Sequence, residues 1–134
     1  MSVPILMEKF LGIWKLEIDE GHEEVMKRLG VNYMARKMSH LMKPTLYIRD
    51  VGNSYYGIRR EGCIKSIESF FKLGERFNEV TPDYREVISI IFIKNGIMKH
   101  EQLGPGAPVH IERVIIGDAL KSVSSMQPPS LISL

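Results

Sequence analysis

The sequence predicts a mainly β protein: an antiparallel sheet of many short strands, with one helical hairpin near its N-terminus. Three observations predict it. After Pro44, short runs rich in apolar and β-branched residues alternate with turn residues at even spacing, the pattern of a closed or sandwich-like sheet. Asn95-Gly96 lies between two apolar runs, and a type I′ hairpin turn wants that pair because both central residues need positive φ. Between Gly21 and Met42 the apolar spacing becomes helical.

The elements follow in order. Gly12 to Glu17 reads as a short strand, with Ile13 and Trp14 on opposite faces. Gly21 to Gly30 reads as a short helix with acids in its first turn, bases in its last and Gly30 as its C-terminal stop. A second helix spans Asn32 to Met42: Asn32 can cap it, and Met34, Met38 and Leu41 share a face. Lys43-Pro44 ends it, since a residue before proline avoids the helical region. The two helices form a hairpin joined by two or three residues.

Strands are then expected at Thr45–Arg49, Tyr55–Arg60, Ile64–Leu73, Phe77–Thr81, Glu86–Lys94, Ile97–Gln102 and Val109–Ile116. From about Ser122 to Leu134 the composition turns Ser-rich and contains Pro128-Pro129, which lack the N–H donors a central strand needs. That tail is expected to be an edge, a loop or disordered. No repeat or second domain is visible, and residues 1–134 read as one domain.

Composition narrows the function. A chain of 134 residues, 44% hydrophobic and 25% charged, can bury a core without staples. A net charge of +2 gives no reason to expect a nucleic-acid partner. The lone Cys63 excludes an internal disulfide and fits a reducing compartment. No apolar run reaches the roughly 18–20 residues of a membrane span, and the N-terminus lacks a signal-peptide pattern. The reading is a cytoplasmic protein.

Seven segments in register resemble the intracellular fatty-acid-binding protein family, whose vertebrate members include heart, adipocyte, myelin and testis types. They are Phe10–Leu16, Met26–Val31, Ala35–Lys37 with Lys43–Thr45, Phe71–Gly74, Phe77–Glu79, Thr81–Arg85 and Ile111–Arg113. The match covers Phe10 to about Leu120. The resemblance implies a ten-stranded antiparallel up-and-down β-barrel, capped by a helix-turn-helix lid at about residues 21–43. It also implies a cavity for a long-chain fatty acid. Arg113 matches the family arginine that meets the ligand carboxylate. The family's second polar element, a C-terminal Arg-x-Tyr pair, is missing: the chain ends Leu131-Ile-Ser-Leu134, so the last strand is expected to be atypical or incomplete. His22 stands where the family has a phenylalanine, one extra residue lies around Tyr55–Arg60, and Gly104-Pro-Gly106 replaces a Trp-Asp-Gly turn.

Each candidate has a plainer reading beside it. Val109, Ile111, Arg113 and Ile115 share one strand face, so a guanidinium sits among apolar residues and can fork onto a carboxylate. Pattern alone favours an outward arginine; the resemblance reverses that. Gln102 shares a face with Met98 and His100 and matches a cavity position, against a plain surface glutamine. Asp83 and Arg85 match portal positions, against a turn aspartate and an exposed ion pair worth about 0–1 kcal/mol. His22, Met26, Val31, Ala35, Ser39, Met42, Pro44 and Ile64 match cavity or portal positions, and methionine suits an adaptable lipid pocket. Met34 and Met38 read as lid packing. Lys27, Arg36 and Lys37 form a basic helical face. The resemblance gives that face transient contact with anionic membranes or nuclear receptors, against simple solvation.

The four histidines make no metal motif, and no nucleophile or phosphate-loop pattern stands out. The expectation is a monomeric, non-enzymatic carrier of long-chain fatty acids or similar amphiphiles, cytoplasmic and also nuclear, without cofactor or metal. The rival reading is a degenerate member acting as a protein- or membrane-interaction module.

Overall fold

The computed structural model describes residues 7–15, 18–41, 45–61, 66–81 and 83–126. Two short strands open the described chain, β1 (Gly12–Lys15) and β2 (Ile18–Glu20). Helices α1 (His22–Arg28) and α2 (Tyr33–Leu41) follow. Then come β3 (Thr45–Gly52), β4 (Tyr55–Glu61), β5 (Glu68–Phe71) and β6 (Arg76–Val80). The meander finishes with β7 (Glu86–Lys94), β8 (Ile97–Gly104), β9 (Val109–Ile116) and β10 (Ala119–Ser125). Among the described residues no helix is long and apolar enough to cross a membrane.

The local signals act as their chemistry requires. Gly30 takes φ 85°, and its N–H and that of Val31 donate to the carbonyls of Lys27 and Met26, a closed helix stop only a glycine adopts easily. Asn32 Oδ1 accepts the N–H of Ala35 at 2.9 Å and starts α2. Asn95 and Gly96 both have positive φ and join β7 to β8.

The strands form two sheets, one ordered β1-β3-β4-β5 and one ordered β2-β10-β9-β8-β7-β6. The sheets meet at two places. β5 lies beside β6 without hydrogen bonding to it, and at the other end β1 and β2 follow one another along the chain. Counting β1 and β2 as one bent leg leaves an odd number of legs in an up-and-down course. The first and last legs therefore run the same way, and β2 pairs with β10 in parallel, the one parallel pair among the described strands.

Inner faces divide into an apolar floor and a polar chamber. The floor is Phe10, Leu46, Ile48, Tyr56, Ile58, Phe71, Ile91, Met98 and Leu120, and each large side chain there stabilises the fold by roughly 1.5–3 kcal/mol. Phe10 plugs this end, and its carbonyl accepts the indole N–H of Trp14 at 2.8 Å. Ile13, on the opposite face of β1, is exposed as alternation requires.

Three expectations need correction. The Ser-rich segment from Ser122 is not wholly tail: Ser122 to Ser125 complete β10, which lies between β9 and β2 instead of at an edge. Its inner face carries Leu120, Ser122 and Ser124, so a polar chamber masked the apolar alternation. The strand expected over Ile64–Leu73 runs only from Glu68 to Phe71, and 62–65 lie outside the described residues, as does the tail from 127. The helices are joined by Leu29 to Asn32, longer than expected.

Gly21 ties α1 to the closing strand. Its φ is 78°, and a Cβ there would lie 2.0 Å from the Ser124 carbonyl oxygen, whereas a Cβ at Gly30 would meet open space. Gly30→Ala should cost about 1 kcal/mol for the left-handed conformation alone. Gly21→Ala should cost at least about 2 kcal/mol more, read as the difference in urea unfolding free energy.

Candidate functional site

A partly open chamber lies beneath α1. Strand alternation supplies its walls. On β9, Val109, Ile111 and Arg113 face inward; on β8, His100 and Gln102 continue the row that begins at Met98 in the floor. On β4, Arg60 follows Tyr56 and Ile58 at spacing two, while Arg59 turns outward to stack on the Tyr47 ring at 4.3 Å. His22, Val25 and Met26 of α1 form the roof.

A chain of charges runs through this apolar frame. Arg113 is only 4% exposed, and its Nη1 lies 3.1 Å from His100 Nδ1. A guanidinium can only donate, so His100 Nδ1 accepts and the ring carries its proton on Nε2, donated to Glu79 Oε1 at 2.9 Å. The same oxygen accepts the Ser89 hydroxyl at 2.7 Å and the Gln102 amide at 3.4 Å. Nearer the roof, Asp83 accepts Thr81 and Arg85 at 2.6 and 2.7 Å, and Arg60 donates to Asp19 at 2.7 Å. Two buried polar atoms, Arg113 Nε and Asp19 Oδ1, have no hydrogen-bond partner among the described residues.

Burial and neighbouring charge pull these groups apart. Burial raises Glu79, but the attraction and hydrogen bond of His100, the Ser89 hydroxyl and the Arg113 charge outweigh it and hold the carboxyl at about 2. Burial, then the Arg60 charge, lowers Arg113 to about 10, against opposing pulls from Glu79 and Asp19. It remains a cation at neutral pH. His22 is lowered to about 4, chiefly by burial and then by Arg60.

The chamber wall thus brings together six of the residues singled out from sequence: His22, Met26, Asp83, Arg85, Gln102 and Arg113. Val31 and Ala35 are partly buried at the helical hairpin but outside the wall. Ser39 lies in α2 with its side chain outside the described residues, and Met42, Pro44 and Ile64 also lie outside them. Of the basic helical residues, Arg36 is clipped to the Val31 carbonyl at 2.7 Å, and it and Lys37 approach the Tyr33 ring. Sequence reasoning missed Asp19, Arg60, Glu79 and Ser89. The phase of Arg60 with Ile58 was the signal available for it; Asp19 and Ser89 carried none.

No family model matches the chain. Among individual proteins, fatty acid-binding protein homolog 1 of Echinococcus granulosus is 51% identical over 116 residues, 87% of each chain. The crystal structure of fatty-acid-binding protein 1 of that organism superposes with a TM-score of 0.82 at 50% identity, covering 89% of this chain and 90% of the other. A Schistosoma mansoni fatty acid binding protein in complex with arachidonic acid superposes at 0.79 with 30% identity, covering 89% and 88%. The fold shared with these structures is the β-barrel of the fatty-acid-binding proteins.

The His22 imidazole, held near 4 when folded and near 6.5 when unfolded, leaves the unfolded chain holding more protons between those values. Its contribution is therefore intact above pH 6.5 and is lost as the pH falls towards 4. His22→Phe should narrow the drop in Tm between pH 7 and pH 4 by roughly 5 °C, followed by circular dichroism.

Proposed function

The chain belongs to the fatty-acid-binding protein family, and on that premise we propose that it carries long-chain fatty acids or similar amphiphiles, non-covalently and without catalysis. One observation carries this reading: a charged guanidinium, Arg113, is buried in the wall of the chamber and keeps one N–H unpartnered among the described residues. A buried charge with spare donor capacity is costly unless something accepts from it. A carboxylate is the acceptor whose geometry fits a guanidinium fork.

The rest of the work falls to the hydrocarbon tail. Each methylene leaving water contributes about 0.8 kcal/mol, less the cost of immobilising the chain. Val25, Met26, Leu46, Ile58, Val109 and Ile111 supply apolar wall for it. Met26 adapts its shape to tails of different length and bend. His22 and Met26 in α1 roof the chamber, so displacement of the helical hairpin admits and releases the ligand. Asp83 and Arg85 stand near that opening, and Gln102 links Arg85 to the deeper charges. Our reading keeps the protein a monomer in the cytoplasm and nucleus, with Lys27 and Lys37 making transient contact with anionic membranes or a nuclear receptor.

Displacement of a fluorescent fatty acid by oleate tests the proposal. The native protein should bind oleate with a Kd in the micromolar range or tighter, and Arg113→Ala should weaken it by about 10- to 100-fold. Oleyl alcohol, which has the same tail and no charge, should be indifferent to that change. A native protein that binds neither probe below about 100 µM is no carrier, and the interaction-module reading takes its place.

A further inference from the structure

Among the described residues the chamber holds no surplus arginine charge for an incoming acid. Arg60, Arg85 and Arg113 are matched by Asp19, Asp83 and Glu79. A ligand carboxylate must therefore take a cation from an internal carboxylate, and the three acids differ in how firmly they are held. Glu79 accepts from Ser89, His100 and Gln102. Asp83 uses both oxygens, one on Thr81 and one on Arg85. Asp19 uses one oxygen, on Arg60, and the other is buried without a hydrogen-bond partner among the described residues. Asp19 is the exchangeable acid.

Strand register puts this exchange beside Arg113. Arg113 is paired with Ser122 across β9 and β10, and Ser122 with Asp19 across β10 and β2. The three form one cross-strand row, whose ends lie about 10 Å apart at the backbone. Arg60 reaches the Asp19 end of that row from the other sheet, with its side chain 14% exposed. Its charge is also felt at Arg113, where it is the strongest influence after burial. A carboxylate seated over Ser122 would face one guanidinium on each side.

We propose that Arg60 is a second carboxylate-binding residue, held by Asp19 in the empty protein and handed to the ligand head group on binding. It would supply from β4 a second cation for the head group. The inference rests on the carrier reading, and it adds which internal acid the ligand displaces.

The test compares oleate with oleyl alcohol on the native protein and on three variants, each checked for a folded spectrum. Arg60→Met should weaken oleate by about tenfold and leave oleyl alcohol within about twofold. Arg60→Lys keeps the charge without the fork and should lose less. Asp19→Asn removes the competitor and should tighten oleate at least about threefold, again without effect on the alcohol. That gain is the outcome a merely structural ion pair does not give. If oleate binding in Asp19→Asn is unchanged or weaker, or if both Arg60 variants bind oleate like the native protein, the inference is overturned while the carrier reading stands. If the native protein binds neither probe, the carrier reading itself fails.

Discussion

A guanidinium withdrawn from water sets the terms for the interior of this barrel. Arg113 could not be buried alone; its charge is answered through His100 by Glu79, and Glu79 is fastened in turn by Ser89 and Gln102. These residues come from β6, β7, β8 and β9, so four consecutive strands are locked in one register by side chains as well as by backbone ladders. Aliphatic residues in those places would fill the space more cheaply. They would also remove the charge on which the proposed head-group recognition rests.

Polarity inside the barrel also explains what the sequence concealed. Where inner faces are apolar, alternation exposes the strand: Val87 and Ile91 on β7 and Leu46 and Ile48 on β3 are clear cases. Helix ends are legible for a different reason, because Asn32 and Gly30 satisfy backbone groups locally and need no knowledge of the rest of the chain. β10 breaks the rule, since its inward positions are Leu120, Ser122 and Ser124, and two of the three look like solvent-facing residues. β2 is three residues long, too short for any period to show.

The same asymmetry applies to the site. Arg113 and Gln102 were legible through the family resemblance combined with strand phase, and His22 through the resemblance alone. Arg60 stands beside Arg59 in a run of charged residues, and nothing local says which of the two turns inward; only its phase with Tyr56 and Ile58 does. Asp19 is more deeply hidden, because its role depends on a parallel pairing with a strand at the far end of the chain.

That pairing has a kinetic side. Residues 18–20 meet residues 121–123, about 100 positions later, whereas the other ladders join elements much nearer in sequence. Bringing such distant segments together costs the most chain entropy and is rewarded by only three residue pairs. The runs β3 to β5 and β6 to β10 can each assemble by local steps, one hairpin templating the next. The seam waits for all of them, so during synthesis β2 stays unmatched until residues 121–123 have emerged, although β1 beside it finds β3 early.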